Sequence, residues 1–115
     1  MTLLARLISK REGYGIPGAV PTRDNNPGDL RHSPHSSHQG EGPNDIGEID
    51  TPADGWLDLE RQLQLFASRG LTLQQMIEEK YAPPTENDSA AYLAFVVQGG
   101  GWTNDTLVAE ALQVP

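Results

Sequence analysis

Residues 13–50 carry almost no apolar periodicity, and that gap decides what the rest of the chain can build. The chain has 115 residues, so a third of it is rich in Gly, Pro, Asn, Ser and His rather than in core-forming residues. A loop of this length inside a small domain is usually functional or disordered. The core must therefore come from the flanking segments, and these read as helices. Leu3, Leu4, Leu7 and Ile8 recur at helical spacing behind Thr2, a natural N-cap, and Gly13 and Gly15 end that helix. Glu12 falls at its C-terminus.

A second helix is predicted from Thr51, where Thr51 caps, Pro52 suits the first helical position and Asp54 follows at the third. Trp56, Leu59, Leu63 and Phe66 form its apolar stripe, and Gly70 closes it. Thr72 and Gln75 make a further capping-box pattern ahead of Met76 and Ile77, with Pro83-Pro84 as the stop. Asn87 or Asp88 starts a segment from Ser89 to Gln98, broken by Gly99-Gly100-Gly101, and Asp105 is expected to cap a last helix through Leu112. Within the loop only Ile46 and Ile49 could anchor a strand or turn. The expectation is one mainly helical domain over residues 1–115, of the α+β kind, with a long loop or short hairpin between helices one and two.

Composition removes several classes. A net charge of −8 argues against a nucleic-acid partner, and it gives no basic patch for acidic wall polymers. With no cysteine, neither disulfides nor thiolate metal sites can form. The apolar start, Met1 to Ile8, is interrupted by Arg6 and followed by Lys10, Arg11 and Glu12. It is too short and too charged for a signal peptide or a membrane span. A cytoplasmic location is the default expectation, with export by another route as the alternative.

Two features could carry chemistry. The first is Glu12. Glycoside cleavage needs a carboxylic acid that stays protonated long enough to give its proton to the leaving oxygen. A helix C-terminus disfavours the carboxylate, and burial beside Tyr14 or Ile16 would push the same way. The second is the run Arg23-Asp24-Asn25-Asn26-Pro27-Gly28-Asp29-Leu30-Arg31, a turn by its own chemistry. Amides on such a turn suit sugar hydroxyls and N-acetyl groups. By propensity alone, Asn25 and Asn26 equally well satisfy their own backbone.

Taken in order, "ISKREGY", "RDNNPGDLR", "DTPADGWLDLERQL" and "LTLQQMIEEKYAPPTENDSAAYL" resemble a family of phage and prophage lysozyme-like proteins related to lytic transglycosylases. The resemblance covers nearly the whole chain. It implies a lysozyme-like fold acting on the peptidoglycan glycan strand, phage delivery to the cell wall, Glu12 as catalytic acid, and Asn25 and Asn26 on the cleft wall. It further implies that Tyr81 and Tyr92 lie near or under the substrate. The chain departs from the family pattern at Asp24 and Asp29, where Asn is expected. Two added negative charges near Glu12 would raise its pKa further or spoil sugar binding.

The remaining signals are weaker. Glu48 and Asp50 are candidate second carboxylates, although each reads equally as an ordinary loop or capping acid. His32, His35 and His38 recur every third residue, yet without a helical pattern they read as a solvated, metal-free loop. Trp56 and Phe66 read as core. Neither a cofactor nor an oligomer is expected. The leading expectation is a lytic transglycosylase or lysozyme, without a choice between hydrolysis and anhydro-forming cleavage. The alternative is a non-catalytic structural or glycan-binding module that kept the fold.

Overall fold

The computed structural model describes residues 1–39, 46–81 and 89–115, the side chains of Lys80 and Tyr81 excepted. Its architecture is mainly helical with one small antiparallel hairpin. In chain order these are α1 (Leu3–Glu12), α2 (Val20–Arg23), β1 (Ser36–His38), β2 (Glu48–Ile49), α3 (Pro52–Ser68), α4 (Leu73–Met76), a π-helical turn (Ile77–Tyr81), α5 (Ser89–Gly100) and α6 (Val108–Ala111).

Three helix starts follow the expected capping chemistry. The Thr2 hydroxyl accepts from the Ala5 amide, and that of Thr51 from the Asp54 amide. Thr72 and Gln75 exchange both bonds of a capping box. The end of α1 is closed by a Schellman pair, Gly13 N–H to the Lys10 carbonyl at 3.2 Å and Tyr14 N–H to the Ser9 carbonyl at 3.0 Å. Gly13 sits at φ 90°, a backbone conformation that a side chain would strain. This fixes Glu12 as the last helical residue and turns the chain away just beyond it.

The core is shared among the helices. Leu4 and Ile8 of α1 and Leu59, Leu63 and Phe66 of α3 meet Leu73, Met76 and Ile77, Leu93 and Val96 of α5, and Val108 and Ala111 of α6. The stripe read along α3 is the buried one. The hairpin pairs Ser36 with Ile49 and His38 with Glu48, and Ile46 and Ile49 are its buried anchors.

Several elements differ from expectation. Residues 20–23 form a short helix with Pro21 in its first turn, inside the stretch that lacked any periodicity. Helix α5 continues through Gly99 and Gly100, ending before Gly101 at φ 70°. The reason is tertiary: Leu7 of α1 lies so close to Gly99 that an added Cβ would come within 2.5 Å of its Cδ2. The Trp102 ring covers Gly100 in the same way. Asp105 does not cap the last helix; that role falls to Leu107, and α6 runs only from Val108 to Ala111. The Pro83-Pro84 stop and the Asn87 or Asp88 start lie outside the described residues.

Candidate active site around Glu12

Glu12 reaches the centre of the site because α1 ends at it. Its Oε2 accepts a hydrogen bond from the Tyr92 hydroxyl of α5 at 2.8 Å. The Arg11 guanidinium lies over the Tyr92 ring, 5.4 Å from its centroid. One aromatic side chain thus holds the carboxyl by its edge and a cation by its face. Tyr92 itself is 4 % exposed, so the hydroxyl is presented from a rigid, buried ring.

The environment pushes the Glu12 pKa from an ordinary 4.5 to about 7. Burial is the main cause, because it withholds water from the charged form. The Tyr92 hydrogen bond works against it, the negative charge of Asp29 adds to it, and Arg11 opposes it. Burial does not come from Ile16, which is 61 % exposed. Tyr14 is partly buried and packs edge-on against Trp56, with centroids 5.5 Å apart.

The 23–31 turn stands beside this group, but its two asparagines face inward. Asn26 is fully buried. Its amide donates to the carbonyls of Leu30 at 2.7 Å and Gly47 at 2.9 Å, while its Oδ1 accepts from the Leu30 N–H at 2.9 Å. All its polar capacity goes into closing the turn and tying it to the hairpin, so Asn26 cannot line a cleft wall. Asn25, at φ 52°, spends its amide on the Ile49 carbonyl at 2.9 Å and the Asp50 carbonyl at 3.3 Å. The turn is then pressed onto α3 at Gly55, where an added Cβ would come within 2.0 Å of the Asn25 carbonyl oxygen. The backbone-satisfying role read from propensity is the one both residues take.

The acids of the region sort by environment. Asp24 is 6 % exposed and paired with Arg23 through two contacts of 2.8 and 2.9 Å. Asp29 is partly buried at φ 54°, and burial, helped by the Asp24 charge, pushes its pKa up. Glu48 and Asp50, the second carboxylates suggested by the sequence, are exposed on or beside β2. Asp29 is the acid whose charge reaches Glu12. The side chain of Tyr81 lies outside the described residues.

The histidines divide. His35 is not a free loop residue: its Nδ1–H donates to Asp58 Oδ1 at 2.5 Å and its backbone N–H to Asp58 Oδ2 at 2.9 Å. Asp58, on α3, is 2 % exposed. Asp58 carries no apolar signal, so the stripe pattern passed over it. His32 and His38 are exposed, and among the described residues no three His, Asp or Glu side chains converge on a metal position. No described helix is long and apolar enough to cross a membrane. A separate concavity of about 260 Å³, lined by Gln74, Glu78, Leu93, Val97, Gln98 and Asn104, opens on another face of α5 and does not include Glu12.

No family model, curated protein or solved structure matches the chain.

Proposed function

We propose that this domain is lysozyme-like and cleaves the glycan strand of bacterial peptidoglycan, with Glu12 as the general acid. The observation that carries the reading is the Glu12 carboxyl itself, gripped by Tyr92 and poised to titrate at about pH 7. An acid is most useful when its pKa lies near the working pH, since it is then both protonated and able to give its proton away. The helix end brings the residue to an edge of the core, and the Schellman turn beyond it leaves the carboxyl partly reachable by solvent. In the reaction Glu12 protonates the glycosidic oxygen as the bond to the anomeric carbon breaks. Tyr92 holds the carboxyl in position and stabilises the carboxylate that remains. The domain acts as a monomer without a cofactor.

A second reading, a non-catalytic glycan-binding or structural module, is favoured by the net charge of −8 and by the engagement of Asn25 and Asn26 with the backbone. Digestion of purified peptidoglycan by wild type and by Glu12→Gln separates the two. Release of soluble fragments that falls by about 10² or more in Glu12→Gln supports the acid role. Wild-type protein that binds the wall but releases nothing leaves the module reading.

A further inference from the structure

Arg11 stands one residue before Glu12 and shares its anchor. Its guanidinium lies 5.4 Å from the centroid of the Tyr92 ring, and the hydroxyl of that same ring donates to Glu12 Oε2 at 2.8 Å. Tyr92 is buried, so cation and carboxyl are presented together at the end of α1. The Arg11 charge also acts on Glu12, lowering its pKa. Arg11 is exposed, and among the described residues it forms no ion pair and donates no hydrogen bond, although the chain has 16 acidic residues against 8 basic ones. Arg23, by contrast, is spent on Asp24 through two contacts. A ring occupies only the face of a guanidinium. The edge keeps its fork of N–H donors open, the geometry that takes a carboxylate by two parallel bonds.

We propose that Arg11 binds a carboxylate of the glycan strand and seats it beside Glu12. The proposal rests on the strand being the ligand of this site, not on Glu12 being the acid. Alternate sugars of the strand carry a lactyl arm that ends either in its own carboxylate or in a stem peptide with further carboxylates. Both sources offer the same chemistry to a guanidinium fork. The charge balance makes this contact matter. A chain of net charge −8 repels an acidic strand at long range, and salt screens that repulsion. A bidentate contact at one exposed cation acts at short range and reverses its sign locally. Binding also readies the acid. An anion on Arg11 offsets the positive charge that favours the Glu12 carboxylate, so a seated strand helps Glu12 to keep its proton.

Calorimetric binding tests this without turnover. Soluble glycan fragments, with stem peptides removed or retained and each with its carboxyls free or blocked as methylamides, are titrated into Glu12→Gln and into Glu12→Gln combined with Arg11→Gln. Blocking should weaken binding to Glu12→Gln by about 10-fold or more. Adding Arg11→Gln should cost the same factor and make the protein indifferent to blocking, while Arg11→Lys, which keeps the charge without the fork, should recover only part of it. A larger blocking effect on bare strands assigns the contact to the lactyl carboxylate, and a larger one on stem-bearing strands assigns it to the peptide. Binding that is unchanged or strengthened by blocking overturns the proposal. So does a carboxylate preference that survives Arg11→Gln, or absence of binding to any fragment. The acid role is scored apart from this, by digestion with the wild type. Binding that depends on Arg11 without cleavage keeps this site and removes the acid, whereas cleavage lost in Glu12→Gln without such binding does the reverse.

Discussion

Glu12, partly buried at the end of α1, and Asp58, buried within α3, are two carboxyl groups tuned in opposite directions. Burial pushes both pKa values up. At Glu12 it wins, because the partner is a neutral phenol and a second acid stands nearby. At Asp58 it loses, because the His35 side chain, the His35 backbone N–H and the Ser33 hydroxyl all hydrogen-bond to the anion. The value falls below the ordinary 3.8, and His35 in turn rises above 6.5 because of its bond to Asp58. Burial alone therefore does not mark a catalytic acid; the charge of the partners decides. Asp58 is a fastener that ties the segment before β1 to α3. Glu12 is the group left able to change its proton.

That contrast should first appear in activity. Glu12→Gln should lower peptidoglycan cleavage by about 10² to 10⁴ while the fold survives, whereas Asp58→Ala should leave the rate per folded molecule within severalfold. Equal losses in the two variants would erase the distinction.

The next largest effect is on stability, and its sign follows from linkage. Folded Glu12 keeps its proton up to about pH 7, whereas an ordinary glutamate releases it near 4.5, so stability falls as pH rises through that interval. Glu12→Gln removes the penalty. Chemical denaturation should show it more stable than wild type at pH 8, by at most about 3 kcal/mol, and no more stable at pH 4. Asp58 has the reverse sign. Its folded pKa is depressed, so its contribution is present above 3.8 and lost as pH falls further, while that of His35 is present below 6.5 and lost as pH rises through its raised value. Asp58→Ala should cost about 1–3 kcal/mol near pH 5–6, because the His35 donors lose their acceptor.

Asn26→Ala should cost a comparable amount, about 1–3 kcal/mol, by stranding two carbonyls and an amide of the turn. A variant of unchanged stability with weakened glycan binding would instead return Asn26 to the cleft wall. The smallest effect belongs to Tyr92→Phe. Its hydroxyl opposes the upward shift, so removing it should raise the Glu12 midpoint above about 7, read by carboxyl-carbon NMR.

The sequence made the helix ends legible because capping chemistry is local. Thr2, Thr51 and the Thr72–Gln75 pair each act within one helical turn. The place of Glu12 was legible for the same reason, since Gly13 alone specifies where α1 stops. The influence of Asp29 on Glu12 was legible as a negative charge in the turn that follows α1. What escaped depends on distant contacts. Nothing local announces that His35 will find Asp58, 23 residues away, or that Asn26 will spend its amide on Gly47, 21 residues on. The continuation of α5 through Gly99 likewise rests on Leu7 from the other end of the chain. Asp105 shows the converse: a good capping residue is passed over when the Leu71–Val108 and Thr72–Leu107 contacts set the N-cap of α6 at Leu107, two residues beyond it.

The opposed tuning of Glu12 and Asp58 can be read in one experiment. A carboxyl-carbon NMR titration of the wild-type domain from pH 2 to 9 follows Glu12 and Asp58 in the same spectra. Glu12 should titrate at about 7 and Asp58 below 3.8, with a Glu12 midpoint that falls when Asp29 is replaced by Asn. A Glu12 midpoint near 4.5 would contradict the account, because the residue would then be an ordinary anion at neutral pH with no proton to give.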